Sequence, residues 1–350
     1  MRRQLPMASC STCLYRAVNI HVNEDLFTEQ NICKAMDEQN RTIITIHLLG
    51  LQTPQSLTFL VFFVFLLIYC LTICGNFLII SMVSYSKTLH SPMYFYLSQL
   101  ALSDILLSTD VLPNMLNAIL ENTTIISISE CITQLYFFGV SITLECLLLT
   151  VMSYDRYLAI CKPLHYSLLM SHQFCWITII TSWTLRFLAV LTYTSDISKL
   201  HFCGPNIIDH FFCDLDPILQ LSCSSTFLVQ LLVTLSTIFF AIIPFFVIIA
   251  SYIYIVFTIF KIPTMSGRQK VFSTCSSHLT VVSIFYGTLL FVYLIPSRGQ
   301  SWNITKFVSL MYTVVTPLMN PIIYSLRNAD LKKVVGKIIN NVMKLHFCSQ

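Results

Sequence analysis

Three groups of residues in this chain have the types and spacing for chemistry. In "MSYDRYLAIC" (152–161), Asp155 stands beside Arg156 at the end of an apolar run, 131–152, whose one charge is Glu145. An acid and a base side by side favour each other's charged form. The pair either ends a buried helix at water or does work there. Asp104 and Glu145 form the second group, two acids inside apolar runs, where ionisable groups are expensive and usually functional. The third is cysteine: of the 14 in the chain, Cys203, Cys213 and Cys223 are evenly spaced, and Cys131 lies upstream. Four cysteines allow three pairings, and the spacing selects none of them. No nucleophile–base or metal-ligand spacing occurs within the apolar runs. Cys10 and Cys13 form a C-x-x-C with no second pair to complete a zinc site.

These residues need elements to hold them. Of 350 residues, 55% are hydrophobic and 10% charged, against about 25% charged in soluble domains. The mean hydropathy of +0.74 agrees. So few charges cannot cover a water-soluble surface, so the chain is read as a polytopic membrane protein. Apolar stretches of about 20 residues fall near 57–83, 94–120, 131–159, 174–193, 227–260, 271–295 and 307–326. The second and third are amphipathic, each with an acid. Gly and Pro inside such runs are tolerable because neighbouring helices satisfy the freed backbone groups.

Basic residues in the connections set the orientation. With the amino terminus outside, the inner side holds Lys87, Arg156, Lys162, Lys261, Arg268, Lys270, Arg327, Lys332, Lys333, Lys337 and Lys344. The outer loops hold Lys199, Arg298 and Lys306, with Arg41 just before the first span. The sequons at Asn40, Asn122 and Asn303 all fall on the outer face and make these three the glycosylation candidates. "MRRQLPMASCSTC" has no apolar stretch behind it and reads as a polar tail, so the first span acts as an uncleaved signal anchor. Cys70, Cys74, Cys146 and Cys175 sit in helices as small hydrophobes. Cys131, Cys203, Cys213 and Cys223 face the oxidising side, where disulfides persist.

Local strings make the reading specific. They are "GNFLII" (75–80), "LHSPMYFYLSQLALSD" (89–104), "MSYDRYLAICKPLHY" (152–166), "SY" (251–252), "KVFSTCSSHL" (270–279) and "PLMNPIIYSLRN" (317–328). In their order and over about residues 40–337, they resemble the odorant receptors, a branch of the rhodopsin-like G protein-coupled receptors. "KVFSTCSSHL" and the second-span string are absent from ordinary rhodopsin-like receptors. The resemblance implies an all-α membrane protein, a seven-helix bundle with an extracellular amino terminus and a short cytoplasmic helix after the seventh span. It implies an extracellular tail over 1–56, the bundle over 57–326 and a cytoplasmic tail with an amphipathic helix over 327–350. The family begins shortly before an N-x-Ser/Thr, as at "MDEQNRT" (36–42), so 1–35 reads as an atypical extension.

The resemblance also assigns roles. Asp155, Arg156 and Tyr157 end the third span at the cytoplasmic rim, where the acid restrains the arginine at rest and activation frees it toward a G protein. Tyr252, Lys270, Ser273, Asn320, Pro321 and Tyr324 join this activation set. Asp104 and Glu145 face each other near Asn320, at the place where rhodopsin-like receptors hold sodium. Two carboxylates there repel unless a cation or shared proton intervenes; a structural polar cluster is the plain alternative. The implied disulfides are Cys131–Cys213 and Cys203–Cys223.

The pocket is argued partly from absence. Aminergic receptors carry a carboxylate where this chain has Phe138, and no lysine lies between Lys306 and Arg327 for a retinal Schiff base. The lining left is Phe138, Ser141, Ile142, Ser236, Phe240, Tyr286, Leu289 and Tyr293, apolar with a few hydroxyls. It suits a small, volatile, mostly uncharged ligand held by one or two hydrogen bonds. Helix packing is the alternative for each residue. Arg186, in "SWTLRFL", stands three residues after Trp183 where related receptors usually carry glycine. The expectation is that it impairs packing and surface delivery, its cost reduced by snorkelling outward, with Asp110 as a candidate partner. Reaching loop acids such as Asp196, or lining the pocket and favouring an anionic or strongly polar ligand, are the other readings.

The functional expectation is therefore a receptor for volatile odorants, not an enzyme, that raises cyclic AMP through a stimulatory, olfactory-type heterotrimeric G protein. Its partners are the lipid bilayer and trafficking chaperones, with no nucleic acid and no cofactor other than candidate sodium. It belongs in the plasma membrane, on the cilia of olfactory sensory neurons. A transporter or channel is the alternative; transporters often show internal repeats, and none is visible in seven unequal spans. Deleting residues 1–35 should leave insertion, signalling and glycosylation at Asn40 intact in a surface-labelling and glycosidase-shift assay. Blocked insertion would show that the segment is more than an extension.

Overall fold

The computed structural model describes residues 44–203, 205–294 and 302–327, together with positions 331, 332, 334 and 336. The helices are α1 (Thr58–Tyr85), α2 (Pro92–Glu121), α3 (Ile128–Cys161), α4 (Pro163–Leu169), α5 (His172–Ile197), α6 (Leu215–Gln220), α7 (Phe227–Thr237), α8 (Ile243–Lys261), α9 (Met265–Leu294), α10 (Trp302–Leu310) and α11 (Thr316–Arg327). Seven spans result: α1, α2, α3, α5, α7 with α8, α9, and α10 with α11. The fifth and seventh each contain one π-helical turn, Ile238–Ile242 and Met311–Val315. Such turns often mark functional sites.

Five of the described spans are long and apolar enough to cross a membrane by hydropathy alone. The second is not among them, because Asp104, Asp110 and Glu121 dilute it. It is instead the helix buried by its neighbours, with Leu97, Leu100, Val111, Leu112 and Met115 at 0–1% exposure. The sixth has its apolar stretch only over Cys275–Phe291. Its helix begins at Met265, ahead of the expected start near 271, because hydropathy reports the part in lipid whereas the helix continues into water. By contrast, α1 turns Phe59, Phe63, Leu67 and Phe77 outward, as a helix facing hydrocarbon does.

Polar and small residues bring the helices together. Asn76 Nδ2 donates to Thr72 O at 3.0 Å and to Pro317 O at 3.1 Å, joining the first and seventh spans. Gly75 lets Pro321 approach: an added Cβ would lie 3.2 Å from its Cγ. Small residues allow such close approach in membranes. Trp183 Nε1 donates to Gln99 Oε1 at 3.1 Å, and Tyr96 shares a 2.8 Å hydrogen bond with Thr178, tying the fourth span to the second. Ser127 and Glu130 close a capping box at the start of α3.

The outer end carries a small sheet that a purely helical reading omits. β1 (Thr45–Leu48) pairs antiparallel with β2 (Thr124–Ser127), Ile46 opposite Ile126, and parallel with β3 (Ile207–Ile208). Ile46, Ile126 and Ile208 point inward while Ile125 and Ile207 face out, the period-two alternation of a half-buried strand. Gly50, at φ +66°, ends this tail in a turn against Ala118. Cys131 is bonded to Cys213 and Cys203 to Cys223, so the loop after the fourth span is fixed to α3 and to itself. The extension over 1–35, Asn40, and most of 327–350 with its expected amphipathic helix lie outside the described residues.

Candidate functional site

At the inner end of α3, Arg156 Nε donates to Asp155 Oδ2 at 2.9 Å, and Nη2 bonds the same oxygen. The other oxygen, Oδ1, accepts from the Tyr166 hydroxyl at 2.8 Å. Asp155 is fully buried and the Arg156 side chain is 12% exposed. The carboxylate is thus saturated by its own helix and by α4, and the guanidinium is held back from the rim. Tyr157 faces the fifth span, 6.0 Å from the Tyr254 ring. Across the bundle, the Tyr252 hydroxyl and His278 Nδ1 lie 2.6 Å apart, linking the fifth and sixth spans. Tyr324 is wholly buried. Lys270 and Ser273 lie on α9, and their side chains fall outside the described residues.

At mid-depth one amide meets both acids. Asn320 Nδ2 lies 3.1 and 3.0 Å from the two Asp104 oxygens and 3.3 Å from Glu145 Oε1. Exposure of all three residues is 1–2%. The second, third and seventh spans therefore meet at a single polar point, with Pro321 adjacent in α11.

The outer half holds the proposed lining. Phe138 packs against Phe212 of the outer loop at 5.0 Å and Tyr312 of the seventh span at 5.9 Å. Phe212 is a lid residue that the apolar periodicity of the spans could not reveal. Ser141 and Ile142 are buried; the Ser141 carbonyl accepts from Ser103 at 3.2 Å, while its own hydroxyl has no partner among the described residues. The Tyr286 hydroxyl donates to Ala241 O at 3.5 Å, and its ring lies 4.8 Å from Phe245. Ser236, Phe240 and Leu289 are half-buried, and the Tyr293 side chain is outside the described residues. A separate groove of about 490 Å³ opens near Val83, Leu89, Phe95, Gln99 and His172, and none of the eight candidates lines it.

Arg186 departs from its expected placement. It does not snorkel: its exposure is 0%. It makes no ion pair with Asp110, and Asp196 is held by Lys199 at 2.7 Å instead. Its guanidinium carbon stands 4.0 Å over the Phe240 ring. Lys306, expected in a loop, is buried in α10, where it pairs with Asp209 at 2.5 Å and donates to Gly50 O at 2.8 Å. Asn122 is exposed at the end of α2, in the left-handed conformation that asparagine tolerates. Asn303 lies in the first turn of α10.

Comparison with known proteins decides the family. The family profile described as "Olfactory receptor" matches residues 65–342. The chain belongs to the olfactory receptor family. Mouse olfactory receptor 5P55 is 45% identical over 305 residues, 87% of this chain and 98% of that protein. Human olfactory receptor 11L1 is 45% identical over 305 residues, 87% of this chain and 95% of its own. Rat olfactory receptor 1468 is 42% identical over 314 residues, spanning 89% of this chain and 100% of its own length. This olfactory receptor is accordingly a multi-pass membrane protein, a receptor rather than an enzyme, in a family of odorant-binding, G protein-coupled proteins.

The lid of this receptor contains a pH-sensitive residue. His210 is buried between Phe211 and Phe212, with ring centroids 4.7 Å from each. Burial first, and nearby Lys306 second, push its pKa down from 6.5 to about 3. Between those values the unfolded lid binds a proton that the folded lid does not, so this contribution to stability falls as pH drops from 6.5 toward 3. Thermal unfolding of detergent-solubilised receptor should show this acid sensitivity, and His210→Phe should flatten it. An unchanged slope in the variant would remove His210 from the account.

Proposed function

We propose that the receptor binds a small volatile ligand among the outer halves of its third, fifth, sixth and seventh spans. In this reading it activates a stimulatory, olfactory-type G protein at the inner rim and raises cyclic AMP. The observation that carries it is the arrangement along α3. An aromatic and hydroxyl-bearing lining around Phe138 lies at one end, and the restrained Arg156 at the other. Ligand-driven movement of the sixth span would disturb the Tyr252–His278 link and release Arg156 from Asp155. The tissue setting is the cilia of olfactory sensory neurons, with chaperones assisting export.

Asp104 and Glu145 are the proposed holders of a sodium ion. Support comes from their donor chemistry: two buried carboxylates share one neutral amide, which leaves negative charge for a cation or proton to balance. Sodium bound there would favour the resting arrangement. The residues themselves hold the second, third and seventh spans together whichever species balances them.

Arg156→Ala should abolish odorant-evoked cyclic AMP at unchanged surface level while leaving ligand binding measurable; Tyr252→Phe should weaken the response less. Normal signalling by Arg156→Ala at the surface would contradict the coupling role. For sodium, replacing it with an organic cation in membrane binding assays should raise agonist affinity in the wild type and not in Asp104→Asn. Equal sodium dependence in both would exclude this site.

A further inference from the structure

Arg186 is a fully buried guanidinium whose Nε, Nη1 and Nη2 have no hydrogen-bond partner among the described residues. Its guanidinium lies over the face of Phe240, Cζ to centroid 4.0 Å. That contact offsets part of the cost of burial but occupies none of the five N–H donors. A charge taken out of water without an opposing charge is strongly destabilising. Loop acids do not relieve it, since Asp196 is taken by Lys199 and Asp209 by Lys306. The unused donors therefore mark a place built for something outside the chain.

The surroundings say where that place is. Phe240 lies in the π-helical turn of the fifth span, next to Ala241, whose carbonyl accepts from Tyr286 of the sixth. On α3, the Cys146 thiol is turned to its own helix, donating to Ile142 O at 3.5 Å. Arg186 thus reaches from the fourth span to Phe240, one of the residues assigned to the ligand. A planar guanidinium with a free fork matches a carboxylate through two parallel hydrogen bonds.

We propose that Arg186 is the anion-binding element of this pocket and that the preferred ligands are carboxylic acids, ionised at neutral pH, with an apolar tail. The proposal rests on the odorant-receptor reading and narrows its ligand class. Binding would bring the compensating charge that the apo bundle lacks, so affinity is coupled to relief of the buried cation. A ligand of the same skeleton without the charge would leave the donors unmatched.

The test uses full-length receptor in cells co-expressing olfactory-type G protein and trafficking helpers, with surface labelling and cyclic AMP as readouts. The probes are short- and medium-chain carboxylic acids, each with its methyl ester and alcohol. The wild type should respond to acids with potency about 10- to 100-fold above the matched esters, the ratio expected for a charge-assisted hydrogen bond. Arg186→Gln should lose that preference while keeping its ester response, and Arg186→Lys should retain part of it. If variants fail to reach the surface, the acid–ester ratio of the wild type decides. Responses to esters and alcohols with no preference for acids would overturn the proposal while sparing the odorant reading. So would Arg186→Gly that raises surface staining and keeps the odorant profile. Silence of surface-expressed wild type toward every odorant class would defeat the odorant reading, and the proposal with it.

Discussion

Inside a bilayer no water is available to answer a buried polar group, so the protein must answer it. Two such answers are strung along the third span, and a disulfide fixes its outer end. Asp155 is closed by Arg156 and Tyr166 at the inner end, Glu145 shares Asn320 with Asp104 at mid-depth, and Cys131 is bonded to Cys213 at the outer end. Each link goes to a different part of the fold: the following short helix, the second and seventh spans, and the outer lid. Apolar packing against lipid does not distinguish one helix arrangement from another, because lipid tails are as apolar as leucine. The polar links supply that distinction.

In the proposed mechanism the same constraint underlies the switch. A group held by a saturating partner is quiet, and a group without one responds to whatever arrives. Arg156 is of the first kind and Arg186 of the second. The π-helical turns in the fifth and seventh spans bring irregular backbone to the levels of Phe240 and Tyr312. Aromatic side chains can then repack there without unwinding a whole helix. The lid above, stapled by two disulfides and by Lys306 to Asp209, closes the outer end through Phe212.

Much of this was legible in the residues. Five of the seven spans follow from hydropathy alone, while the second and sixth are weaker in hydropathy and are carried by the local strings. Their direction follows from lysine and arginine placement. The "DRY" string points to the inner rim, and Tyr166 and His278 lie inside the same family strings without a spacing that reveals their partners. The outer sheet was harder to see: β3 has two residues, and its pairing depends on chain segments more than 70 positions apart. Arg186 shows the clearest limit. Its sequence position gave burial no direction, and only the fold shows it turned toward Phe240 rather than out to the headgroups. Lys306 likewise reads as a loop charge in the sequence, because its partner Asp209 lies 97 positions away.

The Asp155–Arg156 pair is, in the proposed mechanism, the resting latch of an odorant-driven switch. A structure of the ligand-bound receptor in complex with its heterotrimeric G protein tests it most directly. Arg156 should be turned away from Asp155 and touch the G protein, with the Asp155–Tyr166 hydrogen bond retained. A coupled complex in which Arg156 still donates to Asp155 would contradict it.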